Sequence, residues 1–157
     1  WSSSNRPAHW MGDVLRVDKT IYVGASSRSN SSGIEQLSSA TTPLGYRIVP
    51  VPVGECLHLK SAVTQVGPNL LLINRRLVEP RYFPGMDFVD VADEEPLGAN
   101  ALLIGKQVVY SAAFPRTRER LEEKGIAVRW IDVSEVEKAE GAVTCCSLIF
   151  ESALIPT

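Results

Sequence analysis

The sequence predicts a mixed α/β domain in which a strand–strand–helix–strand unit occurs about three times. Pairs of short apolar runs are joined by turn residues, as at Gly67-Pro68-Asn69 and Gly105-Lys106. A helical pattern, or a segment interrupted by proline in its place, follows each pair and leads to another apolar run. Repeats of this period are typical of propellers, solenoids and arrays, and a plain two-layer α+β domain is the alternative.

The first unit contains four predicted elements: strands over 13–17 and 20–23, a helix over 32–44, and a strand over 46–53. Asp18-Lys19 forms the turn between the first two strands, which together read as a hairpin. Apolar residues at i, i+3 and i+6 support the helix, which Pro43 and Gly45 end. Two prolines favour an edge position for the last strand, because proline cannot donate a ladder hydrogen bond.

The second unit contains predicted strands over 61–66, 70–74 and 88–92, and the third contains strands over 99–104, 107–111 and 127–133. A short segment interrupted by proline replaces the helix of the second unit. The helix of the third unit spans 115–124, with Pro115 at its first position and Gly125 just after its end. A short helix over 134–139 and a closing strand over 147–150 complete the predicted elements.

Length and composition are typical of one folded domain, which we expect over residues 11–157 after an irregular segment over 1–10. The segment WSSSNRPAHW is rich in serine and shows neither helical nor strand periodicity. Two interpretations of it stay open. It is either a leader or remnant before a start at Met11, or a native segment that packs through Trp1 and Trp10.

Charge and cysteine content narrow the class of protein. The formal net charge is −2, which offers no electrostatic basis for binding nucleic acid or an anionic membrane. No apolar run approaches the roughly 20 residues of a membrane-spanning helix. The three cysteines, two of them adjacent, form a poor disulfide framework, so we expect a protein of the reducing cytoplasm.

A histidine and a cysteine in junction segments are candidates for nucleophilic catalysis. His58 lies in the loop 55–60 between the first two units, and such loops often carry functional side chains. Cys145 comes just before the apolar run 148–150, where a strand would hold a thiol at the mouth of a site. A thiolate is the reactive nucleophile, and a nearby imidazole can accept its proton. The alternatives are a structural or exposed histidine and an inert buried cysteine.

Two binding roles, for a zinc ion and for a carboxylate, are also considered. Cys145, Cys146 and His58 would supply three zinc ligands, but adjacent cysteines lack the usual spacing of zinc sites, so we expect no metal. Arg28 lies in a loop of small residues, 24–30, just after a strand, where its guanidinium is well placed to bind a carboxylate with two hydrogen bonds. A solvated surface arginine is the alternative.

These candidates lie in five short motifs: Gly12-Asp13-Val14-Leu15, Ser27-Arg28-Ser29-Asn30, Leu57-His58-Leu59-Lys60-Ser61, Gly98-Ala99-Asn100 and Thr144-Cys145-Cys146-Ser147. In this order, over roughly residues 12–152, the chain resembles the C-terminal part of the dimethylarginine dimethylaminohydrolases, or dimethylargininases. That family belongs to the guanidino-group-modifying superfamily of amidinotransferases and arginine deiminases. The pattern His-x-Lys at His58 is similar to the dimethylargininases, whereas arginine deiminases carry His-x-Asp.

The resemblance implies a partial α/β propeller of the pentein type, with about three ββαβ modules of five plus the closing strand. It implies hydrolysis of an N-methylated arginine to citrulline and an amine through a thiouronium intermediate. Cys145 would be the nucleophile, His58 the general acid and base, and Arg28 the group that holds the α-carboxylate of the substrate. The resemblance implies no metal and no cofactor.

Two departures from the family's pattern bear on activity. Trp10 occupies the position of the acidic residue that orients the catalytic histidine, and Met11 replaces a glycine. The N-terminal modules, whose carboxylates hold the guanidinium, have no counterpart here, so we expect an N-terminally truncated form. We also expect a homodimer or higher oligomer that covers the open module edges. The alternatives are a non-catalytic binding or assembly scaffold, and activity restored by a separate polypeptide.

Overall fold

The computed structural model describes residues 10–25, 29–54 and 58–149, and within them nine strands form three separate sheets. The first sheet contains β1 (Val14–Val17), β2 (Thr20–Ala25) and β3 (Arg47–Pro52). The second contains β4 (Val63–Gly67), β5 (Leu70–Ile73) and β6 (Asp87–Asp90). The third contains β7 (Ala101–Ile104), β8 (Gln107–Ser111) and β9 (Ala127–Ile131).

All three sheets have the same topology. The first strand pairs antiparallel with the second through a tight hairpin, and the second pairs parallel with the third. The second strand is therefore central, and β3 lies at a sheet edge, as its prolines predict. The repeated unit expected from the sequence is confirmed. At each hairpin turn, the predicted end of the first strand and the predicted start of the second lie within one or two residues of the observed ones.

Five helices accompany these sheets in the described part of the chain: α1 (Trp10–Asp13), α2 (Ser31–Thr41), α3 (Leu59–Ala62), α4 (Pro115–Glu123) and α5 (Ser134–Glu137). Helices α2 and α4 connect the second and third strands of the first and third sheets. In the second sheet a single 3-10 turn, Pro80–Tyr82, makes this connection, as the proline-interrupted segment predicts. None of the described helices is long and apolar enough to cross a membrane.

The buried core lies between neighbouring sheets. One apolar cluster joins the first sheet to the second, and there the rings of Tyr22 and Phe83 are 4.7 Å apart between centroids. A second cluster joins the second sheet to the third, with Leu72 packed near Tyr110 and Leu121. Strand β4 contacts both β1 and β7, so the first strands of the three sheets lie side by side. The sheets thus radiate from these inner strands like the blades of a propeller.

Besides shifts of up to three residues at the ends of elements, the structure differs from the sequence expectations at three places. Trp10 belongs to helix α1, although we expected an irregular segment; residues 1–9 lie outside the described part. Ser61 and Ala62 belong to α3 and not to a strand. The closing strand does not form over residues 147–149, and Phe150 lies outside the described part. A strand needs a neighbour for its backbone groups, and Leu148 and Ile149 are instead 82% and 55% exposed.

Candidate active site

His58 is held at the start of α3, directly before the inner strand β4. Its backbone is extended, and its carbonyl oxygen accepts a hydrogen bond from the amide of Ser61, 3.0 Å away, which closes the first turn of α3. The imidazole packs against Gly12, where an added Cβ would lie 2.4 Å from Cγ of His58. The close approach explains why glycine occupies this position in the first motif, because any side chain would displace the ring.

The buried carboxylate of Asp13 joins two of the predicted site segments. Its Oδ1 accepts a hydrogen bond from the amide of Leu59, the residue after His58, at 3.0 Å. Its Oδ2 accepts a hydrogen bond from the hydroxyl of Ser29 at 2.7 Å. Ser29 follows Arg28, which itself lies outside the described residues. Asp13 therefore connects the end of the arginine loop to the segment that carries His58.

Cys145 is exposed and lies in a turn, residues 142–147, which we call the Cys145 turn. Its Sγ atom accepts a hydrogen bond from the amide of Ala142 at 2.9 Å, and the thiol contacts the carbonyl oxygen of the same residue at 3.3 Å. The preceding residue, Thr144, is largely buried. Its amide and its hydroxyl both bond to the side chain of Asn100, at 3.1 Å and 2.9 Å.

Helix α3 and the Cys145 turn are neighbours, as two observations show. The amide nitrogen of Asn100 also donates to the carbonyl oxygen of Lys60, at 3.2 Å, so one side chain touches both segments. Lys60 also lies within electrostatic range of Cys145. Burial lowers the pKa of the Lys60 ammonium, and the negative charge of Cys145 in its thiolate form opposes that shift to a smaller extent. The structure thus brings the segments of His58 and Cys145 together at one end of the inner strands.

A groove of about 560 Å³ opens beside these segments. The three inner strands and the Cys145 turn line it with the following residues: Val14, Leu15, Arg16, Lys60, Thr64, Gln65, Ala101, Leu102, Leu103, Thr144, Ser147 and Ile149. Two of these side chains are cations, and none of them is a carboxylate. Such a lining favours an anionic group, whereas a guanidinium ion requires acidic partners.

The zinc alternative receives no support within the part of the chain that the structure describes. There, no group of three or more histidine, cysteine, aspartate or glutamate side chains is close enough to hold a metal ion. Cys145 and Cys146 are both free thiols.

The sequence motifs contained two residues to which we assigned no role. Asp13 and Asn100 bond directly to the segments of the predicted site residues, yet no motif chemistry identifies them as important. Their position in the sequence could have identified them, because each is a short polar residue directly before the first strand of its unit.

Comparison with known proteins agrees with this arrangement. No model of a known protein family matches the chain. The N(G),N(G)-dimethylarginine dimethylaminohydrolase of Streptomyces coelicolor is 42% identical over 139 residues, which are 87% of this chain and 52% of the relative. The enzyme of the same name from Pseudomonas aeruginosa is 32% identical over 139 residues, which are 88% of this chain and 55% of the relative.

A solved structure has a similar fold. It is dimethylarginine dimethylaminohydrolase from Pseudomonas aeruginosa, a cysteine-to-serine mutant complexed with citrulline, and it matches with a TM-score of 0.77 at 30% identity. The match covers 83% of this chain and 51% of that chain. The partial α/β propeller predicted for the described sheets is thereby confirmed. The chain spans about half the length of the curated relatives it matches, and over that half it is similar to the dimethylarginine dimethylaminohydrolases.

Proposed function

We propose that this chain supplies the nucleophile and the acid–base group of a guanidino-group hydrolase that converts an N-methylated arginine to citrulline and an amine. Cys145 is the nucleophile, His58 the general acid and base, and Arg28 the group that binds the α-carboxylate. One observation supports this proposal above the others. The segment after His58 and the turn of Cys145, separated by more than eighty residues of sequence, both bond to the side chain of Asn100.

The first half of the reaction breaks the bond between the guanidinium carbon and its substituted nitrogen. The Cys145 thiolate attacks that carbon, and the carbon–nitrogen electron pair moves onto the leaving amine. Protonated His58 donates its proton to this nitrogen, so that dimethylamine departs as a neutral molecule. The carbon is then bound to Sγ of Cys145 as a thiouronium ion.

The second half returns the enzyme to its starting state. Neutral His58 accepts a proton from a water molecule while the water oxygen attacks the thiouronium carbon. The carbon–sulfur bond breaks, its electron pair returns to Sγ, and the ureido group of citrulline leaves. Further proton transfers to solvent complete the cycle, and no oxidant or metal takes part in these steps.

The charged side chains of the groove support one orientation of an amino-acid substrate. Arg16 and Lys60 favour the anionic carboxylate end of an amino acid over the guanidinium end. We infer that the carboxylates that bind the guanidinium come from outside this groove. The same observation supports the alternative function, a non-catalytic binding or assembly scaffold, because a site without those acids would not hold the reacting group.

Citrulline release separates these two functions. The chain is incubated with dimethylarginine and, separately, with arginine, and both citrulline and a covalent adduct on Cys145 are measured by mass spectrometry. Cys145→Ser should abolish both signals, whereas the matched variant Cys146→Ser, which alters the adjacent exposed thiol, should retain them. A folded chain that yields neither citrulline nor an adduct would refute activity of this chain by itself and support the scaffold.

We propose in addition that the chain self-associates and works in the cytoplasm. Exposed apolar side chains at Trp130, Leu148 and Ile149 offer surface for a partner, and a symmetric dimer is the commonest solution. A monomer at micromolar concentration in light scattering would overturn the first part. The two adjacent free thiols fit a reducing compartment, and quantitative thiol labelling of freshly lysed cells tests the second.

A further inference from the structure

We propose that Asn100 is a positioning residue that sets the distance between the Cys145 turn and the segment of His58. The proposal rests on the function proposed above. Asn100 makes its described hydrogen bonds to neighbours of the two site residues, so it acts through them.

The chemistry of the amide suits this position. Oδ1 of Asn100 accepts from the amide of Thr144, and Nδ2 donates both to the hydroxyl of Thr144 and to the carbonyl oxygen of Lys60. A short side chain must therefore accept from one segment and donate to the other. Aspartate, which is acceptor-only when ionised, has no donor for the Lys60 carbonyl, and serine has a single hydroxyl in place of the two amide groups.

Asn100 is itself held rigidly. The hydroxyl of Thr64, on the inner strand β4, donates to the carbonyl oxygen of Ala99 at 2.6 Å and accepts from the amide of Ala101 at 3.1 Å. Both chain neighbours of Asn100 are thus tied to a buried strand, and β7 begins directly after it. Because its backbone is held on both sides, the side chain of Asn100 can fix the positions of α3 and the Cys145 turn, to which it is hydrogen-bonded.

The two segments need an external contact to fix their positions, because neither is part of a long helix or strand. Helix α3 has four residues, and the Cys145 turn lies outside any helix or strand. Catalysis by a thiolate and an imidazole depends on their separation, and a displacement of about 1 Å can cost about a hundredfold in rate. Removal of Asn100 should therefore separate the pair while the three sheets stay folded.

The test compares Asn100→Ala with Asn74→Ala in a Cys146→Ser background. Asn74 is the matched control, since this buried amide also bonds two backbone segments, through Pro96 and Arg76, and its described side-chain hydrogen bonds reach neither site segment. The first readout is the pH profile of Cys145 alkylation by iodoacetamide, resolved by peptide mass spectrometry. The second is amide hydrogen exchange over residues 142–147.

We expect Asn100→Ala to move the alkylation profile to that of His58→Ala and to speed exchange over 142–147 by about tenfold, the effect of losing one or two hydrogen bonds. Asn74→Ala should do neither. Asn100→Asp, which keeps the volume and the acceptor for Thr144, should shift the alkylation profile while exchange at Thr144 stays slow. This variant decides the matter if Asn100→Ala does not fold.

The outcomes separate the two proposals. Profiles and exchange rates of Asn100→Ala that equal those of Asn74→Ala would overturn the positioning role. An alkylation profile that His58→Ala leaves unchanged would refute the proposed chemistry. Faster exchange confined to Asn100→Ala would then still support Asn100 as the residue that holds the turn.

Discussion

Replacement of Gly12 by alanine should disable His58 without changing any residue assigned to the chemistry. The added Cβ would lie 2.4 Å from Cγ of His58, 2.6 Å from Cδ2 and 2.8 Å from Cβ. Ordinary contacts of a Cβ atom begin near 3.4 Å, so the imidazole must move by about 1 Å. The backbone next to His58 is tied to Asp13 through the amide of Leu59, which opposes a shift of the whole segment away from Gly12.

The size of the effect follows from this displacement. A shift of about 1 Å in a catalytic group costs about a hundredfold in rate, so citrulline formation should fall by that factor. Crowding of this kind also destabilises a protein by about 1–3 kcal/mol. A destabilisation of this size leaves most of the protein folded, because proteins are typically stable by about 5–15 kcal/mol. The loss of activity should therefore greatly exceed the loss of folded protein.

Nuclear magnetic resonance of the imidazole provides a direct assay. The chain has two histidines, so His9→Gln leaves His58 as the single source of imidazole signals. Gly105→Ala is the control: its added Cβ would meet no atom within 4 Å, but its φ of +61° strains the backbone. Gly12→Ala should shift the His58 signals and Gly105→Ala should not. Superimposable His58 spectra for Gly12→Ala and the unsubstituted chain would refute the reasoning.

Two further predictions concern stability and are checked by urea unfolding. Burial lowers the pKa of Lys60 from its ordinary 10.5, so the folded chain loses this proton first and the free energy of unfolding should rise with pH between the lowered value and 10.5. Lys60→Met should raise that free energy at pH 7 and abolish the rise; an unaltered pH dependence would contradict this. The carboxylate of Glu95 accepts from the amides of Arg116 and Thr117 at 2.8 Å and 2.7 Å, at the start of α4. Glu95→Gln turns one acceptor into a donor that faces a donor and should cost about 2 kcal/mol, whereas a loss below about 0.5 kcal/mol would argue against this role for Glu95.

Local signals predicted the strands and their turns because each signal acts within a few residues. At Asp18, for example, φ is 50°, a left-handed conformation that aspartate tolerates at a hairpin turn. Proline and glycine likewise mark both ends of α4 in the sequence. These features depend on backbone preferences that are intrinsic to each residue type, so they can be predicted from a single sequence.

Predictions from the local sequence were wrong where contacts with distant residues determine the backbone structure. Ser61 and Ala62 continue an apolar strand pattern, yet they form α3, whose first amide bonds to Asp13 from 46 residues earlier in the chain. The apolar run 148–150 suggests a closing strand over 147–150, but over residues 147–149 no strand forms in the described part of the chain. Pairing is a tertiary property, so the pattern alone could not predict its absence.

Periodicity and short motifs are local properties of the chain, so they were enough to predict the repeated unit, the resemblance to the dimethylarginine dimethylaminohydrolases and the residue types available for chemistry. The way in which those residues are held follows from contacts between distant parts of the chain. Asp13 and Asn100 bond to segments tens of residues distant, and Gly12 leaves room for an imidazole 46 residues away. Such contacts depend on how three sheets pack around one set of inner strands, and no local pattern encodes that packing.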